Sequence, residues 1–138
     1  MTAGAAAAGA ALPILVVLPS PPLRLLAVAA LGEALGRPVA AIEAGSAFEA
    51  LWHLARGRPA LALVALDLPV LSGDELVALL RARPEHRDLP IIAVAPRADA
   101  EAPGRASAAG VASLLRTPFE AGAVAAALAA AGIGGGEP

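Results

Sequence analysis

Five short apolar runs, separated by segments with helical periodicity, constrain the fold of this chain more than any other feature. Continuous apolar runs of this length are typical of strands covered on both faces, as in a parallel sheet. Five strand–helix units in series therefore predict an α/β domain, a doubly wound five-stranded parallel sheet flanked by five helices. The predicted strands are Ile14–Leu18, Val39–Ile42, Leu61–Leu66, Ile91–Ala95 and Val111–Leu115.

The first intervening segment has a clear helix start and stop. Pro21 and Pro22 suit the first turn of a helix, and Gly36 suits its end. Apolar residues at helical spacing between these points predict its buried face. They are Leu23, Leu26, Ala27, Ala30, Leu31, Ala34 and Leu35.

The other helix signals are shorter. Ser46 can cap a second helix, and a third begins near Gly73. A fourth is predicted over about residues 99–109, where Pro103 weakens the pattern. The last is predicted from about residue 121 to residue 131.

The two ends of the chain are low in complexity. Residues 1–12 are rich in alanine and glycine and residues 132–138 are rich in glycine, so both are predicted to be tails around one domain at residues 13–131. Residues 2–23 carry no charged side chain, but a secretory signal would need a basic region before its apolar core. Four prolines within residues 13–22 argue against a membrane-spanning helix, so no membrane partner is expected.

Charge and residue usage exclude several classes of function. A net charge of −2 gives no basic surface for nucleic acid, so no nucleic-acid partner is expected. All ten basic residues are arginine, which excludes lysine chemistry, and the absence of cysteine excludes disulfides and thiol catalysis. A cytoplasmic location is compatible with this composition, and the alanine and arginine bias suggests a bacterial source.

Several segments resemble the receiver (CheY-like) domain of the two-component response-regulator family. The resemblance extends over about residues 13–131 and implies the flavodoxin-like receiver fold. The matching segments occur in the family's order and at its separations. They are Ile14-Leu15-Val16-Val17 with Pro21 and Leu23-Arg24, Arg58–Val64 leading without a gap to Leu68–Gly73, Arg81–Ile92, Ala109-Gly110 and Pro118-Phe119.

The resemblance also indicates where the family's phosphorylation chemistry should lie. That chemistry uses an acidic pair after the first strand, an acceptor aspartate ending the third, a Thr or Ser ending the fourth and a Lys ending the fifth. Carboxylates hold Mg²⁺, and the other groups neutralise the phosphoryl oxygens. All five positions have lost these side chains, so we expect no Mg²⁺, no other cofactor and no enzymatic activity. They fall on Leu18, Pro19, Ala65, Ala95 and Thr117.

Asp67 provides the alternative reading of the same segment. It stands in Leu66-Asp67-Leu68-Pro69 and superficially resembles the acceptor. The gapless register instead places it in the loop after the third strand, where a solvated carboxylate is the plainer interpretation. The alternative function is a receiver that is still phosphorylated, with Asp67 as the acceptor.

Two aromatic residues suggest an interaction surface. Phe48 and Trp52 stand four residues apart on the predicted second helix and share a face, beside Leu51. In the family these positions are usually polar and on the outside, so the pair predicts an exposed apolar surface unless local packing covers it. Leu114 takes the position of the family's switch aromatic and completes the candidate interface. His53 and His86, by contrast, have no metal-ligand spacing and are predicted to be surface residues.

These observations favour a stand-alone pseudo-receiver in two-component phosphorelay signalling. It would be independent of phosphorylation and act by protein–protein interaction or dimerisation with partners in a bacterial signalling pathway. A small-molecule-binding flavodoxin-like module is a second alternative, because such folds bind ligands at the carboxyl ends of their strands.

Overall fold

The computed structural model describes residues 11–111, 113–120 and 122–134. Strands and helices alternate along this part of the chain, with a short 3₁₀ turn at Pro84–His86. The strands are β1 (Leu12–Val17), β2 (Val39–Ala44), β3 (Leu61–Ala65), β4 (Ile91–Pro96) and β5 (Ser113–Thr117). The helices are α1 (Pro21–Leu35), α2 (Ala47–Leu54), α3 (Gly73–Arg81), α4 (Ala102–Ala109) and α5 (Ala123–Ala130).

The five strands form one parallel sheet in the order β2-β1-β3-β4-β5. The helices pack on the sheet, and within the helix layers α1 contacts α5 and α3 contacts α4. The predicted doubly wound α/β fold is therefore confirmed. Because all strands run the same way, the loops after β1, β3, β4 and β5 meet at one edge of the sheet.

The core centres on the three middle strands. Every residue of β3 is buried, as are the last four of β1 and the first five of β4. The outer strands are only partly covered, since β2 and β5 each contain one buried residue. Burial on both faces explains why the middle strands are continuous apolar runs in the sequence.

Helix α1 begins and ends where the sequence predicts. The Ser20 side chain accepts a hydrogen bond from the Leu23 N–H, and Gly36 adopts a left-handed conformation at φ 64°. The predicted buried face is only partly right: Ala27, Leu31 and Leu35 are buried, whereas Leu26 is exposed. The prediction for Leu26 was wrong because Leu25 and Leu26 both lie on the side of the helix away from the sheet.

Helix α2 is capped as expected, and α3 begins at Gly73, as predicted, with a cap that was not predicted. Ser46 accepts from the Glu49 N–H at the start of α2. Ser72 and Glu75 form a reciprocal capping box at the start of α3. Gly73, the first residue of α3, is buried and donates its N–H to the Leu66 carbonyl. The sharp turn from β3 into α3 therefore depends on a backbone contact at Gly73.

The carboxyl-terminal elements are displaced from their predicted bounds. Strand β5 begins at Ser113, two residues later than predicted, because Gly110 ends α4 in a left-handed conformation and Val111 belongs to the connection. Helix α5 begins at Ala123 rather than near residue 121. At the other end of the chain, β1 begins at Leu12, two residues before the predicted start at Ile14.

Most of the predicted tail residues, 1–10 and 135–138, lie outside the described residues. Ile133, in the glycine-rich end, is described and packs partly against the core. No helix in the described ranges is long and apolar enough to cross a membrane.

Candidate functional site

The five positions to which the resemblance assigns the family's phosphorylation site lie at the carboxyl edge of the sheet. Leu18 and Pro19 follow β1, and Ala65 is the last residue of β3. In the sheet register Ala65 is paired with Val94, next to Ala95 in β4. Thr117 ends β5 and is paired with Pro96. The sheet therefore brings together the ends of four neighbouring strands, as the resemblance implies.

The centre of this edge is filled with hydrocarbon. Leu18, Ala65 and Ala95 are all buried, while Pro19 is exposed and Thr117 is half-buried. None of the side chains at the first four positions has an oxygen that could bind a hard cation. The described residues also contain no group of three or more His, Cys, Asp or Glu placed to hold a metal ion. The residues at the site therefore do not fit the Mg²⁺ that the family's chemistry requires.

The clefts found in the described part of the chain do not centre on these positions. The largest has a volume of about 650 Å³ and runs between α3 and α4, with Ala78, Gly104 and Ala108 in its lining. Asp74 and Arg105 also line this cleft. It and four smaller clefts have no contribution from Leu18, Pro19, Ala65 or Ala95. These five clefts therefore offer the small-molecule alternative no pocket lined by those four residues.

Asp67 lies two residues beyond the end of β3 and is not an isolated carboxylate. Its side chain is 69% exposed, and its Oδ1 accepts a hydrogen bond of 2.9 Å from a terminal nitrogen of Arg105 on α4. The sequence reading of Asp67 as an exposed loop residue agrees with this position. The ion pair with Arg105, 38 residues away, was not visible from the sequence.

Arg105 connects α4 to the end of β3 and the start of α3. Its Nη2 and Nε form a two-pronged contact with the Asp74 carboxylate at 2.8 and 3.2 Å. The same Nη2 also donates to the Leu66 carbonyl at 3.0 Å. Hydrogen bonding from Arg105 lowers the pKa of Asp74 from 3.8 to about 2, against the opposing effect of burial. The hydrogen bond with Asp74, followed by that with Asp67, raises the pKa of Arg105.

Three more arginines bind backbone carbonyls at this edge. Arg24 donates to the Leu18 carbonyl at 2.6 Å and pairs with Glu43 at 2.9 Å. Arg97 donates to the Pro118 carbonyl at 2.7 Å. Arg116 donates to the carbonyl of Asp99 at 2.9 Å. We call Arg24, Arg97, Arg105 and Arg116 the arginine ring; together its members bind the loops after β1, β5, β3 and β4.

The arginine ring was missed from the sequence because its contacts join distant parts of the chain. Arg24 was noted only as part of the resemblance, and the sequence reasoning gave no role to Arg97, Arg105 or Arg116. A weak signal was present, since all basic residues are arginine, whose fixed array of donors suits several acceptors at once.

The candidate interface is only partly supported by its exposure. Phe48 and Trp52 are 59% and 55% exposed, so local packing does not cover them. Leu51 is half-buried and packs against the main core. Leu114 is half-buried on β5, beside the small cluster of Leu66 and alanines under α4. Leu51 and Leu114 thus contribute mainly to packing, and the open apolar surface is the aromatic pair.

The two histidines differ in environment. His53 is partly exposed, and its ring makes an edge-on contact with Trp52 at 5.1 Å between centroids. His86 is buried in the 3₁₀ turn after α3, so its prediction as a surface residue was wrong. Arg81 donates to the carbonyls of His86, Arg87 and Leu89, so the turn and the segment after it are bound to the end of α3.

Comparison with known proteins agrees with this architecture. By sequence the chain matches no family model and no curated protein. By structure it is similar to the receiver domain of a sensor histidine kinase from Pseudomonas aeruginosa, with 26% identity, a TM-score of 0.72 and coverage of 89% of this chain and 99% of that one. That domain carries a magnesium ion coordinated in its active-site cleft.

Two further solved structures show the same likeness. A sensor protein from Polaromonas is 27% identical, with a TM-score of 0.74 and coverage of 87% of this chain and 94% of that one. The chemotaxis protein CheY4 of Vibrio cholerae is 23% identical, with a TM-score of 0.73 and coverage of 87% and 98%. The chain therefore has the receiver fold of the response regulators, as its sequence resemblance predicts.

Proposed function

We propose that this chain is a pseudo-receiver: a receiver-fold domain that works in two-component signalling by binding proteins and takes up no phosphoryl group. The observation that carries the proposal is the hydrocarbon centre formed by Leu18, Ala65 and Ala95. Phosphoryl transfer to a carboxylate needs an acceptor oxygen and a metal ion to neutralise charge. The positions that supply both in the family supply neither here.

The arginine ring supports a single resting conformation. In a switching receiver, the loops at this edge must rearrange when a phosphoryl group arrives. Here the carbonyls of Leu18, Leu66 and Pro118 already accept charge-assisted hydrogen bonds, which are roughly twice as strong as neutral ones. Those bonds stabilise the loops without a ligand. A domain of this kind would present one constant surface to its partners, and we propose no enzymatic activity and no cofactor for it.

The rival function, phosphorylation of Asp67, is less well supported by its geometry. The Asp67 carboxylate forms an ion pair with Arg105, and this pairing makes the carboxylate less available as a nucleophile. Phosphorylation there would also proceed without the acidic pair after β1, because Leu18 and Pro19 replace it. A chemical test can separate the two functions directly.

We expect no response when the purified chain is titrated with Mg²⁺ and then with beryllofluoride, which mimics a phosphoryl group on an acceptor carboxylate. Backbone NMR shifts and Trp52 fluorescence should show no saturable change. Intact mass after incubation with acetyl phosphate should show no added phosphoryl group. A receiver that retains its acceptor and acidic pair serves as the positive control for each reagent.

The Asp67→Asn variant provides the matched comparison. If the wild-type chain shows saturable shifts around Asp67, or gains a phosphoryl group that Asp67→Asn does not gain, the chain is a functioning receiver and the proposal is wrong. Identical, flat titrations for both proteins would support the pseudo-receiver.

A further inference from the structure

The outer face of α2 carries the two exposed aromatic side chains of the domain. Phe48 and Trp52 are one helical turn apart, and each exposes more than half of its surface. Aromatic residues of this size are enriched at the energetic centres of protein interfaces. This exposed apolar surface therefore suits protein binding, and the charges around it indicate which partner it binds.

Trp52 is held in place by its own neighbours. The Arg56 guanidinium lies over the indole at 3.6 Å from the ring centroid and donates to the Trp52 carbonyl at 2.9 Å. The His53 ring packs edge-on against the same indole. An aromatic side chain that is already restrained loses little conformational entropy when a partner covers its open side.

Two opposite charges flank Trp52 on this face. Glu49 lies about one helical turn before Trp52 on α2. Arg56 lies in the turn that follows α2, and its guanidinium reaches back over the Trp52 ring, so the two charges lie on the same side as the indole. The Glu49 carboxylate accepts a hydrogen bond from the Gly45 N–H at 2.6 Å. Neither Glu49 nor Arg56 takes part in an ion pair of the described residues. The face thus has an unpaired negative end and an unpaired positive end.

We propose that the α2 face is a homodimer interface in which the α2 helices of two copies pack antiparallel around a two-fold axis at Trp52. In an isologous interface, a contact from one copy to the other is repeated in reverse. Because Glu49 and Arg56 lie on the same side, an antiparallel pairing sets Glu49 against the partner's Arg56, and Arg56 against the partner's Glu49. The two Trp52 side chains meet at the centre, flanked by Phe48.

The size of the face sets the strength of this dimer. An eight-residue helix is about 12 Å long, and a stable interface buries about 800 Å² on each partner. The α2 face alone is smaller than that, so we expect a weak dimer with a dissociation constant on the order of 10–100 µM. The inference rests on the proposed function, a domain that acts through protein contacts, and identifies the partner as a second copy of the chain.

Sedimentation of the purified chain at concentrations up to about 500 µM tests the proposal. The wild-type chain should pass from monomer to dimer across this range, and Trp52→Ala should weaken association at least tenfold. Leu25→Ala, which removes an exposed leucine from α1, is the matched control and should dimerise like wild type. A wild-type chain that stays monomeric at the highest concentration, or a Trp52→Ala variant that dimerises normally, would overturn the proposal.

A charge exchange tests the antiparallel geometry itself. Arg56→Glu and Glu49→Arg should each dimerise more weakly than wild type, because each places like charges together at both ends of the interface. An equimolar mixture of the two variants should restore association as a heterodimer, since opposite charges then meet at both ends. Thermal unfolding of each variant checks that the loss of the Glu49–Gly45 hydrogen bond leaves the domain folded. Folded variants whose mixture associates no better than either alone would contradict the pairing.

These results are independent of the phosphorylation test. A chain that dimerises through α2 and also accepts a phosphoryl group would overturn the proposed function and keep the interface. A chain that is inert to beryllofluoride and remains monomeric would overturn the interface and keep the pseudo-receiver.

Discussion

Replacing Gly73 with alanine is expected to lower the free energy of unfolding by about 3 kcal/mol or more. A Cβ atom at this position would overlap the Ala65 carbonyl oxygen and lie 2.8 Å from its carbon and 2.9 Å from the Leu66 Cα. These are backbone atoms at the end of a buried strand, so no side chain can rotate to relieve the overlap. The start of α3 must move away from β3, which also weakens the Gly73–Leu66 hydrogen bond.

Thermal and urea unfolding measure this effect, and Gly104→Ala is the matched control. A Cβ atom at Gly104 in α4 meets no atom within 4 Å. Alanine is the better helix former, so this variant should be as stable as wild type or up to about 1 kcal/mol more stable. For Gly73→Ala the melting temperature should fall by roughly 10 °C or more. Equal melting temperatures for Gly73→Ala and wild type would mean that β3 and α3 do not approach as closely as the structure shows.

The fold could be predicted from the sequence because its signals are local. The central strands are apolar on both faces, and each of the first three helices starts at a serine or proline that the structure uses. The errors arose where local signals are weak. In α1 the apolar pattern continues around the helix, so Leu26 could not be separated from the buried residues by spacing alone. Near β5, Val111 looked like a strand residue but lies between the Gly110 cap and Ser113.

The candidate site was predictable only in part, for the same reason. The five degenerate positions stay a prediction from the resemblance, which aligns the segments before Gly73 and before Pro118 without gaps; what the structure adds is that these positions lie at one edge of the sheet. The arginine ring could not be predicted, because the guanidinium of Arg105 reaches carboxylates and a carbonyl more than 30 residues away. Long side chains with several donors leave no periodic trace in a sequence. Likewise, the hydrogen bonds from Arg81 to carbonyls in and after the 3₁₀ turn, where His86 is buried, leave no pattern in the sequence.

Removing the Arg105 side chain should produce the second large effect, a loss of about 1–2 kcal/mol at neutral pH. The lowering of the Asp74 pKa from 3.8 to about 2 corresponds to a free energy somewhat larger than that expected loss of stability. We discount it because the Arg105 and Asp74 side chains are 27% and 31% exposed and solvent screens the pair. Arg97→Ala is the exposed comparison. It removes the Arg97–Glu120 pair, at least half exposed on both sides, and the exposed hydrogen bond to the Pro118 carbonyl, so it should cost less than Arg105→Ala, about 1 kcal/mol or below.

The pH dependence identifies the Asp74 contact as the source of this stability. A carboxyl group whose pKa is lower in the folded than in the unfolded chain stabilises the fold above the unfolded value, and this contribution is lost as the pH falls through the folded value. The difference in unfolding free energy between wild type and Arg105→Ala should therefore be constant above about pH 5. It should shrink below the ordinary carboxyl pKa and be smallest near pH 2. A difference that stays constant down to pH 2 would show that the contribution of Arg105 does not come from its ion pair with Asp74. In that case the Asp74→Asn variant should be nearly as stable as wild type. If the ion pair is the source, Asp74→Asn should be destabilised by about as much as Arg105→Ala, and the double variant should lose less than the sum of the two single losses.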